Sequence, residues 1–309
     1  MAPLFDRRLI FVTGKGGVGK STVSTALGLV AARRGLRTIV VELHNQERVQ
    51  RAWGHRDAHF RELELAPRLF TISIDAQRAM EEYLQVKTGP LGQVLGSSRL
   101  FQALAMATPG MRELLSIGKV WELTQLQRRT RGAGPYDLVI VDAPATGHGV
   151  GALRTPRTFA DIARVGPIAR QARLIQATIE DRGLTAVVAV ATPEEMPVNE
   201  TLSLRETLER EGFALELVIA NAVYPPRFAD AQRDRLQRAL EDSEEPLARA
   251  AVRAALSEHT RAQTQSVQLE RLRQGLNLNG RVIELPFVFS ESVGRRELER
   301  LADLLEARL

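Results

Sequence analysis

Apolar residues along the chain gather into short, nearly continuous runs: Leu9–Thr13, Thr38–Glu42, Leu69–Ile74, Leu138–Asp142, Ala186–Ala191, Leu215–Asn221 and Val282–Leu285. A strand with one wet face alternates apolar and polar residues, whereas a strand covered on both faces does not. The runs therefore predict strands buried on both sides. Helical stretches separate them: Ser21 to Arg34, closing at Gly35; 76–131, interrupted around Gly89-Pro90 and Pro109-Gly110; 156–181, broken at Gly166-Pro167; and about 229–275. Met111, Leu114, Leu115 and Gly118 followed by Trp121 fit a helix packing one face. This rhythm predicts an α/β fold, a doubly wound, mostly parallel sheet of about seven to eight strands with helices on both faces. Right-handed crossovers would bring the loops after Thr13, Glu42, Asp142 and Asn221 to one edge, where ligands bind in such folds.

One of those loops carries a specific chemistry. Gly14-Lys15-Gly16-Gly17-Val18-Gly19-Lys20-Ser21 matches G-x-x-x-x-G-K-[ST], directly after an apolar strand and directly before a helix. The backbone N–H groups of Gly14, Gly16, Gly17, Val18 and Gly19 can turn inward around phosphate oxygens, and the helix that follows adds its positive end. Lys20 should reach the β- and γ-phosphates, the Ser21 hydroxyl should ligate magnesium, and Thr22 is placed for the α-phosphate. The loop predicts ATP and Mg²⁺ as cofactors. No internal repeat, low-complexity linker or second glycine-rich loop occurs, so 1–309 reads as a single P-loop ATPase domain.

Composition sharpens this reading in four ways. The net charge of +5 is carried almost entirely by Arg; the four lysines are Lys15, Lys20, Lys87 and Lys119, and two of them sit in the glycine loop. A Lys kept in an Arg-rich chain points to a need for a compact ammonium. Cysteine is absent, which excludes disulfides, iron–sulfur clusters and thiolate-bound zinc or arsenite. The first apolar segment is short for a signal peptide and no run approaches the roughly 18 residues of a membrane span, so a cytoplasmic protein is expected, with peripheral membrane attachment left open. Arginines are interleaved with acids, as in Arg205-Glu206 and Glu209-Arg210-Glu211, which argues against nucleic acid as a partner.

The extra lysine of K-G-G-V-G-K-S-T resembles the deviant P-loop ATPases, the class of the arsenite-pump ATPase, the tail-anchored-protein targeting ATPase, the Min and Par ATPases and the nitrogenase iron protein. Asp142-Ala143-Pro144-Ala145-Thr146-Gly147-His148 is similar to the arsenite-pump and targeting branch. The resemblance implies that Lys15 crosses a dimer interface to the partner's nucleotide. It also implies that Asp142 holds a magnesium-bound water and that the segment with Gly147 senses the γ-phosphate. Asn221 would then meet the adenine edge and Pro286-Phe287 would line the base. The branch's first switch offers an Asp after the second strand, but this chain reads Val41-Glu42-Leu43-His44, so Glu42 or His44 would have to serve. Two readings stay open: a hydrolysing switch acting on a protein or membrane client as a homodimer or heterodimer with a related ATPase, and a nucleotide-binding regulatory subunit of a heteromeric pair with little hydrolysis. A Par-like DNA-partitioning role is the third.

Overall fold

Strand β1 (Leu9–Thr13) shows how the sequence builds the molecule. All five of its residues are buried, and the pleat sends Leu9 and Phe11 into one apolar core and Ile10 and Val12 into another. With a core on each side, the strand is apolar from Leu9 to Val12 and ends on the buried Thr13. The computed structural model describes residues 3–43, 47–55, 60–88, 107–130, 132–163, 166–276 and 281–309.

Among them eight strands form one sheet in the order β3-β4-β2-β5-β1-β6-β7-β8. They are β1, β2 (Thr38–Leu43), β3 (Leu63–Ala66), β4 (Leu69–Ile74), β5 (Leu138–Asp142), β6 (Thr185–Ala191), β7 (Leu215–Val223) and β8 (Val282–Pro286). All neighbours run parallel except β3 and β4. Helices α1 (Lys20–Arg33), α2 (Arg48–Ala52) and α10 (Arg295–Glu306) cover the Ile10 face, through residues such as Val23, Leu27, Val49, Leu298 and Leu301. The Phe11 face is covered by α3 (Ala76–Thr88), α4 (Met111–Leu123), α5 (Thr146–Ala163), α6 (Pro167–Glu180), α7 (Glu195–Arg210) and the end of α9 (Pro246–Leu276), with α8 (Asp230–Asp242) preceding α9. The α/β, doubly wound architecture read from the sequence is the observed one.

Several boundaries differ from the sequence reading. The helix expected from Pro156 begins at Thr146, so Pro156 lies inside it. A proline is a good helix start and a costly interior residue, by roughly 3 kcal/mol. Val150, Ala152 and Leu153 bury the preceding turns in the core, and that packing outweighs the local preference. The stretch 229–275 is two helices, and 76–131 contains α3 and α4, with 89–106 outside the described residues. Lys119 finds its partners in the helical layer rather than at the glycine loop. Its side chain is 5% exposed, and its ammonium pairs with Glu82 at 2.8 Å and Glu122 at 3.0 Å. Arg128 joins Glu122 and Glu62, and the Tyr136 hydroxyl donates to Glu62 at 2.7 Å. Buried charges of this kind persist only when paired.

Candidate functional site

The loop between β1 and α1 is closed in by its neighbours. Gly14 adopts φ 143°, and a Cβ there would stand 2.1 Å from the Val190 carbonyl oxygen of β6. Gly19 adopts φ 91°, and a Cβ there would stand 2.2 Å from Asn221 Nδ2 of β7. Both positions require glycine on backbone and on space. α1 starts at Lys20 with no side chain capping its first turn, which leaves backbone donors of a 14-residue helix facing the loop. The Lys20 ammonium donates to the carbonyls of Gly14 at 2.9 Å and Lys15 at 2.8 Å, so it lies across the loop. Burial pulls its pKa below the ordinary value; Asp142 opposes that shift and Arg48 reinforces it.

Beside the lysine stand two buried carboxylates. Ser21 Oγ donates to Asp142 Oδ2 at 2.5 Å. Asp142 is register partner to Glu42 across the β5–β2 ladder, and the two are 6% and 1% exposed. Asp142 Oδ1 and Glu42 Oε2 are buried without a hydrogen-bond partner. Burial raises the Asp142 pKa, against the Ser21 hydrogen bond and the positive charges of Lys20 and Arg48. Burial also lifts Glu42 to about 7, opposed by the Val49 and Arg48 backbone N–H groups and reinforced by Asp142. Unsatisfied carboxylate oxygens next to a hydroxyl make an oxygen-only donor set that fits a hard divalent cation. Among the described residues no group of three or more His, Cys, Asp or Glu could hold a metal. A cation here would therefore complete its shell with phosphate oxygens and water, the habit of magnesium.

The raised Glu42 pKa has a measurable consequence. The folded carboxyl holds its proton up to about 7, while the unfolded one releases it near 4.5. The folded chain thus binds the extra proton inside that window, and stability falls as pH rises through it. Glu42→Gln keeps an acceptor for the Arg48 N–H and removes the charge. Urea unfolding in EDTA without nucleotide should show it more stable than wild type by about 1–3 kcal/mol at pH 8 and equal near pH 4. A difference independent of pH would contradict a protonated Glu42.

Gly16 and Gly17 are exposed on the loop while Val18 is buried, and Thr22 lies in the first turn of α1 beside Ser21, where both line a cleft with Gly17, Gly19 and Arg48. Lys15 pairs with Glu200 of its own chain at 3.5 Å. Asn221 lies within β7 rather than at its end, and its amide donates to the Val18 carbonyl at 2.9 Å, bracing the loop. Pro286 ends β8, and Phe287 donates its N–H to Val223 at 2.8 Å and stacks on Tyr224 with ring centres 4.6 Å apart. Gly147 falls in the first turn of α5 rather than in an extended loop. His44 lies outside the described residues.

A sheet-edge phosphate loop with a lysine across it and a serine–aspartate pair beside it coincides with a family match. The model of the anion-transporting ATPases fits residues 7–171 and 160–249. The chain belongs to that family. ATPase BagA of Mycobacterium tuberculosis is 30% identical over 71% of this chain, which spans 66% of that protein's length. ATPase GET3 of Chaetomium globosum is 24% identical over 96% of this chain and 90% of its own. The arsenical pump-driving ATPase of Acidiphilium multivorum is 26% identical over 81% of this chain and 44% of its own.

Two residues near the loop escaped the sequence reading. Arg48 and Glu200 reach the site from α2 and α7. α2 is five residues long, too short to leave a periodic signal. Glu200 lies in a stretch already similar to the family, but nothing in its spacing marks it as the mate of Lys15.

Proposed function

We propose that the chain binds ATP with magnesium at Gly14–Thr22 and hydrolyses it as one half of a dimeric switch. The observation that carries this reading is the convergence of Lys20, Ser21 and Asp142 on a glycine-walled loop at a helix N-terminus. The loop N–H groups from Gly14 to Gly19 would hold phosphate oxygens, Lys20 the β- and γ-phosphates, and Thr22 the α-phosphate. Ser21 and Asp142 would hold the magnesium, the latter through water. Magnesium, when bound, supplies the positive charge that offsets the phosphate oxygens as the terminal phosphoryl group leaves. Glu42, anchored beside Asp142, is the carboxylate available to orient the attacking water, with His44 after it as the alternative. The Gly147 turn at the start of α5 would sense the γ-phosphate. The Asn221 carbonyl oxygen, free of the amide's bond to Val18, suits the adenine amino group, with Pro286 and Phe287 at the base.

Lys15 gives the dimer its logic. In one chain it is paired to Glu200, so reaching a partner's nucleotide requires that pair to open. The partner would be a second copy or a related ATPase. A protein or membrane component would be the client, and the apolar cleft among Met80, Leu84, Met111, Leu115 and Ile175 supports locating it between α3, α4 and α6. No helix among the described residues is long and apolar enough to cross a membrane. With no cysteine in the chain, thiolate-held arsenite or zinc has no place in this reading.

Light scattering with ATP and magnesium, run beside phosphate release, tests the dimer. Wild type should shift from monomer to dimer, and Lys15→Ala should lose that shift together with at least about tenfold in turnover. If Lys15→Ala changes neither, the cross-interface role is wrong. ATP binding without turnover would favour a regulatory subunit.

A further inference from the structure

Arg48 stands where a second cation for the phosphates would be needed. Its backbone N–H donates to Glu42 Oε1 at 2.7 Å, so the buried end of β2 fixes where α2 begins. Arg48 lines the same cleft as Lys20, Ser21 and Thr22. It is near enough to Lys20 to disfavour that ammonium's charge and near enough to Asp142 to favour its carboxylate. Two cations close together beside a glycine-rich loop repel, and an anion between them relieves the repulsion.

The sheet order says which part of the anion it is. Asn221 and Phe287 belong to the β7–β8 side of β1, whereas Arg48 follows β2, on the opposite side beyond β5. A nucleotide with its base over β7–β8 and its phosphates crossing the loop after β1 would direct its terminal phosphate toward Asp142, Glu42 and Arg48.

We infer that Arg48 is a catalytic residue acting on its own chain's nucleotide, contacting the terminal phosphate of a nucleoside triphosphate and stabilising the charge it gains during transfer. This rests on the ATP-site reading above. The role differs from that of Lys15, because it needs no second subunit, and from that of Lys20, because it begins at the third phosphate. An arginine offers a planar, always-charged donor set suited to phosphate oxygens.

Calorimetric titration of Mg-ATP and Mg-ADP, together with phosphate release, tests it in wild type, Arg48→Ala and Arg48→Lys. Arg48→Ala should keep ADP affinity within about threefold and weaken ATP about tenfold or more, the worth of a charge-assisted hydrogen bond. Its kcat should fall on the order of a hundredfold or more, and Arg48→Lys should recover part of that loss. Retained ADP binding reports an intact fold. An unchanged ATP-to-ADP preference and kcat in Arg48→Ala would overturn the inference, as would equal weakening of both nucleotides. If wild type binds neither nucleotide, the site reading fails and this inference with it.

Discussion

Lys20→Ala is expected to lower ATP turnover by about a thousandfold or more while moving the melting temperature by only a few degrees or so. The ammonium makes its two hydrogen bonds to the carbonyls of Gly14 and Lys15 from a half-buried position, and water can replace it at both. Loop geometry does not depend on it: Gly14 is walled by Val190, and Val18 is held by Asn221. What the substitution removes is the ammonium lying across the loop, where phosphate charge would gather. Differential scanning fluorimetry with and without Mg-ATP checks both halves. The ligand-induced rise in melting temperature should vanish while the ligand-free value stays. A Lys20→Ala protein still stabilised by ATP would show that the loop is not where the nucleotide binds.

Asp142→Asn should separate function from stability more sharply. The native carboxylate is buried, adjacent to Glu42, and leaves Oδ1 without a partner. Burial already strains its charged form. An amide of the same shape still accepts from Ser21 and has no charge to desolvate, so the ligand-free protein in EDTA should be as stable as wild type or more so. Turnover should fall by about a hundredfold or more, and the dependence of ATP affinity on magnesium should weaken with it. Chemical denaturation and phosphate release over a magnesium series provide the measurement. A large loss of stability in EDTA would mean that Asp142 is structural.

Much of this arrangement was legible in the residues, for reasons visible in particular elements. β1, β4 and β5 have the boundaries read from the sequence, because burial on both faces keeps them mostly apolar, with small or terminal polar residues such as Thr71, Ser73 and Asp142. The edge strand β3 was missed. Its Leu63-Glu64-Leu65-Ala66 is largely solvated on one face, and four residues carry too little pattern. α10 was not singled out, although Leu298, Leu301, Ala302 and Leu305 form a regular buried stripe. The start of α5 was misplaced because Pro156 and the glycines of 147–151 have local preferences that core packing overrode. At the site, Gly14, Gly19, Lys20, Ser21 and Asp142 could be named because phosphate loops demand those residue types in that order. Arg48 and Glu200 could not, because their proximity is created by tertiary folding and no short motif encodes it. Lys15 was recognised, but its pairing with Glu200 depends on where α7 runs.

In the proposed function this loop holds ATP through magnesium. Titration calorimetry of the purified chain with ATP, in magnesium and then in EDTA, tests it most directly. One nucleotide per chain, bound about tenfold or more tightly with magnesium and lost in Lys20→Ala, is the expected result. No binding of ATP by wild type, or equal affinity in magnesium, EDTA and Lys20→Ala, would contradict it.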